Sequence, residues 1–255
     1  MPTTHAIASP TSPNANSYAV RRAAERGTSR FGWLDSRHSF SFGGYHDPRR
    51  MGYHGLRVLN DDRVAPGMGF DTHPHRDMEI LTWVLDGELA HRDSLGHASV
   101  LPAGGLQLMS AGSGVSHSEF NAREDAPVHF LQVWLQPRER GTEPRYQERA
   151  EPGVAGGGPV RLAATGRVDR ATEGVMALGA DAEVYVGTFD TAGSDTLLVP
   201  AGRVAYVHAA TGTLTVEGQT LSAGDALTVE DPSRSVTLNL AGQPGARLIA
   251  FVLPA

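Results

Sequence analysis

Between residues 55 and 136 the chain is a series of short apolar runs broken by Gly, Asp and Pro: GLRVLNDDRVAPG, MEILTWVLDGELAHRD, HASVLPAGGLQLMSAG and VHFLQVWLQP. Each run has the length and the Val, Ile, Leu, Thr, Trp and Phe content of a strand, and the turn signals return every ~8–12 residues. The pattern predicts an all-β sandwich or barrel. Residues 138–160, RERGTEPRYQERAEPGVAGGGPV, turn charged and then Gly-rich, which reads as a connection. From about residue 160 strand-like runs resume, among them AEVYVGTFD, DTLLVPAG, SVTLNLAG and ARLIAFVLP. WVLDGEL followed by VLPAGGLQLM is matched later by YVHAATGTL followed by TLSAGDALTV. A repeated β-unit is the simplest account. The one helix-like stretch, YAVRRAAERG, is short and polar, and the Ser-, Thr-, Pro- and Asn-rich start reads as irregular. The expected organisation is therefore a largely irregular segment 1–27, a first barrel 28–136, a linker 137–160 and a second barrel 161–255.

Composition narrows the function classes. The 255 residues are ample for a buried core, and Gly 30 with Pro 16 suits many turns. A formal net charge of −6 argues against direct nucleic-acid binding, which rewards a basic surface. Two local Arg-rich stretches, Arg21–Arg30 and Arg49–Arg50, are the only candidate basic patches. With no cysteine, disulfides, zinc knuckles, Fe–S ligation and a Cys nucleophile are excluded. No apolar run approaches the ~18 residues of a membrane span, and the start lacks the features of a secretory signal. A cytoplasmic protein without membrane contact is the expectation.

The candidate chemistry lies in THPHRD, residues 72–77. On a strand, residues i and i+2 share a face, so His73 and His75 can aim both rings at one point. Alone the pair is weak, since chance gives about half such a pair in a chain of this composition. GVSHSEF adds His117 and Glu119 at the same spacing. If the two strands are neighbours, three imidazoles and one carboxylate converge, a donor set suited to a catalytic divalent metal with open positions. Glu79 is a rival carboxylate, with a hydrogen bond to a ligand imidazole as its other use. His38, His46, His54, His91, His97 and His129 read as ordinary turn and strand-end histidines, and Trp83, Phe130, Met109 and Trp134 as core.

GMGFDTHPHRDMEILTWVLDG resembles the first cupin motif, from Gly67 through His73, His75 and Glu79 to the turn at Gly87, and GHASVLPAG resembles the start of the second. Where the general pattern expects the next histidine stands Gln107; His117 comes ten residues later, with Asn121 at the expected offset. That departure, with RHSFSFGGYHDPRRMGYHGLRVLNDDRVAPGMGFDTHPHRDMEI and MSAGSGVSHSE, resembles the pirin family, in particular bacterial pirin-like proteins with quercetin 2,3-dioxygenase activity. The resemblance covers residues 28–150 strongly and the rest loosely. It implies a bicupin with one divalent metal, held in the N-terminal barrel by His73, His75, His117 and Glu119, and a metal-free C-terminal barrel. Offsets from Gly212 corresponding to the two first-motif histidines fall on Leu198 and Pro200, and no His-x-His or His-x-Glu follows residue 150. His208, the one histidine there, is given a structural or surface role.

The activity implied is opening of flavonol-type aromatics with O₂ and loss of carbon monoxide, Glu119 serving also as general base. Iron(II) is the favoured ion, with Cu, Ni, Mn and Zn open. Because eukaryotic members of the family are nuclear, iron-dependent transcriptional co-regulators, a metal- and redox-responsive binding protein with a protein partner is the alternative. A third reading is a non-redox cupin that modifies a sugar or another small molecule.

Overall fold

The computed structural model describes residues 18–150, 158–230 and 233–255. In the first half the strands are β1 (Tyr18–Arg21), β2 (Gly27–Arg30), β3 (Leu34–His38), β4 (Leu56–Val64), β5 (Gly69–His75) and β6 (Glu79–Asp86). They are followed by β7 (Glu88–Asp93), β8 (Ala98–Pro102), β9 (Leu106–Ser110), β10 (Val115–Asn121), β11 (Val128–Leu135) and β12 (Arg145–Arg149). A seven-stranded sheet in the order β12-β9-β6-β11-β4-β3-β2 faces a four-stranded sheet β5-β10-β7-β8. The second half repeats the plan, with Gly193–Val199, Val236–Gly242, Thr213–Val216 and Gln219–Ser222 as its smaller sheet. The fold is thus all-β, two cupin-type barrels in one chain. Helix is confined, among the described residues, to two single 3₁₀ turns, Ala23–Glu25 and Val168–Arg170.

The large sheets of the two barrels pack face to face. Leu56, Leu81, Trp83, Leu106, Leu131 and Val133 from one side meet Ala164, Met176, Val184, Tyr206, Ile249 and Phe251 from the other in one buried cluster. Each large side chain buried there contributes about 1.5–3 kcal/mol by leaving water. That explains the unbroken apolar run of β6, EILTWVLD, in which every residue but the last is buried. One face looks into its own barrel and the other onto the neighbouring sheet. Gly87, at φ 78, makes the turn into β7; a Cβ there would lie 2.9 Å from the Pro127 carbonyl oxygen. Only glycine takes both the dihedral and the close approach.

Two expected boundaries shift. The segment read as irregular carries β1, which adds to the edge strand Ala226–Val229 of the second barrel, and most of β2 lies beyond it in the first. Residues 1–17 lie outside the described residues. The expected linker carries β12, paired along β9 from Arg145↔Ser110 to Arg149↔Leu106. Short polar segments like these become strands because a neighbouring sheet offers an open edge. The Arg-rich stretches are largely spent on structure: Arg21 and Arg26 are buried, Arg22 pairs with Asp225, and Arg49 with Asp47.

Candidate metal centre

β5 is an edge strand, which is where Pro74, lacking an N–H, is tolerated. It runs antiparallel to β10 with His75 opposite Val115 and His73 opposite His117, and the register shifts between His117 and Glu119. On the other side of β10, His117 faces Asp93 and Glu119 faces His91 on β7. Strand parity therefore turns His73, His75, His117, Glu119, His91 and Asp93 to one face.

The Nε2 atom of His117 lies 3.0 Å from that of His75 and 3.1 Å from that of His73. His117 is buried, and the other two are half-buried at the rim. The His75 ring is held down to about 4, by burial and then by His73; His117 is lowered further, by burial and then by both neighbours. Both are neutral at pH 7, the state that ligates metal. Second partners orient the lone pairs. His73 Nδ1 donates to the Asp71 carbonyl at 2.7 Å, leaving Nε2 bare. His117 Nδ1 faces His91 Nδ1 at 3.4 Å, and His91 Nε2 faces Asp93 Oδ2 at 3.4 Å, so protons directed outward along that row also leave His117 Nε2 bare. Bare nitrogens this close repel unless a cation lies between them. An ion with ligand distances of about 2.1 Å sets adjacent octahedral nitrogens about 3.0 Å apart and tetrahedral ones about 3.4 Å. The two spacings that share His117 lie nearer the octahedral value.

Glu119 stands further back. It groups with His91 and His117, while His73, His75 and His117 form the other potential ligand cluster among the described residues. Its carboxylate accepts from Gln107 Nε2 and Gln132 Nε2, each at 2.8 Å, and from Thr82 Oγ1 at 3.4 Å. Burial, then the nearby Asp62, pushes it up to about 7, against those hydrogen bonds. Glu79 does not reach the site: it accepts from Ser110 Oγ and the Gly179 amide, both at 2.9 Å, tying the two barrels together. The corresponding C-terminal interior is an apolar core that includes Val207, Leu227 and Leu238.

Beside the three histidines a depression of about 380 Å³ is lined by Pro74, His75, Arg76, Ser94, Gly114, Val115 and Ser116. A larger cleft of about 510 Å³ lies between the barrels, at Glu79, Arg138 and Gly179. The first abuts the chemistry and the second does not. Trp134, expected as core, is half-buried and stands edge-on to His75, ring centres 5.0 Å apart, with Phe42 edge-on behind it at 5.3 Å.

Comparison with known proteins identifies the family and the fold. The Pirin family model matches residues 19–135, and a quercetinase C-terminal cupin domain model matches residues 169–251. Quercetin 2,3-dioxygenase of Escherichia coli K12 is 38% identical over 235 residues, 92% of this chain and 98% of that protein. The chain belongs to the pirin family. A putative quercetin 2,3-dioxygenase of Pseudomonas aeruginosa is 41% identical to this pirin over 85% of the chain and 93% of its own length. The crystal structure of the E. coli pirin YhhW in complex with nickel(II) superposes with a TM-score of 0.83 at 36% identity, covering 93% of this chain and 99% of that one.

Asp93, Gln132 and Tyr146 were not singled out from sequence, His91 read as an ordinary histidine, and Gln107 stood out only as a departure from the cupin pattern. The inward parity of Gln107, at the position where general cupins place a histidine, was the available signal. Tyr146 comes from β12, in the presumed linker. Its ring stacks between His91 and His97, centres 4.8 Å from each. Its hydroxyl lies 2.9 Å from Glu148 Oε2 and 3.2 Å from Gln107 Oε1, on the side of the Gln107 amide opposite the Nε2 that donates to Glu119. Tyr146→Phe is expected to keep the fold and free this amide, weakening metal affinity about tenfold in chelator competition.

Proposed function

We propose that this pirin is a metal-dependent dioxygenase that opens flavonol-type aromatics with O₂, its divalent ion held by His73, His75, His117 and Glu119. The observation that carries the reading is the convergence of three imidazole Nε2 atoms, 3.0 and 3.1 Å apart in the two pairs sharing His117. The relatives' names and the nickel complex of YhhW support it. Iron(II) is the favoured ion. A divalent ion held there acts as a Lewis acid toward a flavonol hydroxyl and, as iron(II), supplies redox chemistry toward O₂.

The chain's own residues do the rest. Glu119, a buried carboxylate behind the histidines, is suited to accept the phenolic proton. Gln107 and Gln132 hold its two oxygens in place as it does so. Arg76 lines the open depression, where its guanidinium favours an ionised phenol. The edges of Trp134 and Phe42 form an apolar wall beside His75.

The test is anaerobic loading with iron(II), nickel, copper, manganese or zinc, followed by quercetin and air. Metal-dependent loss of the flavonol absorbance with release of carbon monoxide is expected. No turnover with any of the five ions would overturn the proposal. Full activity with zinc alone would instead favour a non-redox cupin. A regulatory role would draw on the Arg-rich stretches, of which Arg21 and Arg26 are buried.

A further inference from the structure

Where the two large sheets meet at the β1 end, buried polar atoms without partners collect in one place. Arg21 Nε, Arg26 Nε, Ser39 Oγ, Tyr206 Oη and both ring nitrogens of His208 are buried and make no hydrogen bond. All five residues are more than nine-tenths buried. They belong together spatially. Arg21 and His208 both sit opposite Ala226, from strands on either side of it, and so share a sheet face. Tyr206 is two residues from His208 on the same face. The Arg21 guanidinium donates to the Ser39 carbonyl of the facing barrel. The charges of Arg26, Asp61, Asp225 and Arg21 all act on the His208 ring, and Tyr206 acts on Arg26.

Unpartnered buried polar atoms are costly, and six in one cluster call for something enclosed among them. The balance of donors says what. Burial keeps His208 neutral, so its ring offers one N–H and one lone pair. The guanidinium Nε–H groups and the two hydroxyls bring the free donors to five, from Arg21, Arg26, Ser39, Tyr206 and His208. Charge leans the same way. Asp61 is shared by Arg26 at 3.4 Å, His129 at 2.8 Å and Arg63 at 3.2 Å. Asp225 pairs with Arg22 at 2.8 Å. Arg21 has main-chain carbonyls as its bonded partners, Ser39 and Glu25, so its charge is uncompensated. Water would accept from two of the donors and donate to the His208 lone pair or a hydroxyl oxygen, but it would leave the remaining donors and the Arg21 charge unmet. An anion accepts from all of them and cancels the charge.

We propose that Arg21, Arg26, Ser39, Tyr206 and His208 enclose a binding site for a small monovalent anion of halide size, chloride being the obvious occupant. The anion joins the N-terminal strand β1 and both barrels, at a place separate from the histidine cluster. It is a structural ligand, independent of the oxygenase reading.

The test uses the full chain in sodium chloride and in sodium gluconate at equal ionic strength, together with crystals grown in sodium bromide. An anomalous bromide peak within hydrogen-bonding distance of Arg21 Nε and the His208 ring is expected. So is a Tm about 2–4 °C higher in 0.1 M chloride than in gluconate. Arg21→Gln should abolish that difference, and Tyr206→Phe, which removes one donor and little volume, should reduce it. If Arg21→Gln does not fold, the bromide peak and Tyr206→Phe decide. Ordered water with no anomalous peak, or equal Tm in the two salts, overturns the proposal. A peak without a Tm difference marks an adventitious ion only and overturns it equally.

Discussion

His117→Ala is expected to yield a folded protein that retains no stoichiometric metal and has lost about 10³-fold or more in kcat/KM. His117 is the hub of the cluster, its Nε2 within 3.1 Å of both partner nitrogens. It is buried, while His73 and His75 lie at the rim, so no water can easily take its place. Losing an outer hydrogen-bond partner of a ligand costs about 10–100-fold, and losing a direct ligand should exceed that. The fold should survive, because the metal-free site holds three rings whose bare nitrogens repel, and the charged forms of His75 and His117 are suppressed. Elemental analysis and a thermal melt check the two halves of this expectation. A variant that keeps one ion per chain would remove His117 from the ligand set.

The second large effect concerns the metal-free protein and pH. Asp62 and Glu119 are both pushed up to about 7, in each case first by burial; Asp61 adds to the rise of Asp62, and Asp62 to that of Glu119. The unfolded chain ionises both near pH 4. Between about pH 4 and pH 7 the native state therefore holds more protons than the unfolded state, and the two carboxyls make stability fall as pH rises. Their contribution is fully present below about pH 4 and gone once pH passes 7. The buried histidines act in the opposite sense, so the comparison is made against a variant. Asp62→Asn removes a buried carboxylate that has an unpartnered oxygen and lies outside the proposed ligand set. It should match the wild type near pH 4 and exceed it at pH 8 by on the order of 2 kcal/mol, about 5 °C in Tm. Denaturant melts at the two pH values read the difference. Equal curves at pH 8 would mean that Asp62 stays ionised without penalty in the native protein.

How these residues come together also shows what a sequence can carry. The THPHRD and SHSE phrases were legible because strand parity is local: two residues apart means one face, whatever the strand pairs with. The repeat of turn and strand phrases similarly exposed two β-units. Glu119 illustrates the limit. Its parity was readable, but its set-back position goes with the register shift between β5 and β10 and with Gln107 and Gln132 reaching in from β9 and β11. His91 looked like any strand-end histidine until β7 placed it opposite Glu119. Tyr146 sat in a charged stretch whose strand exists only because β9 has an open edge.

The sequence by itself determined the all-β class, the doubling of the unit and which side chains of β5 and β10 share a face, since periodicity, turn chemistry and parity act over a few residues. The tertiary structure decided which strands became neighbours, and with that the convergence of the three Nε2 atoms, the hold on Glu119, the use of Glu79 between barrels and the burial of Arg21 and Arg26. Those outcomes depend on contacts between residues tens to hundreds of positions apart, as between Glu79 and Gly179, and no local pattern encodes them.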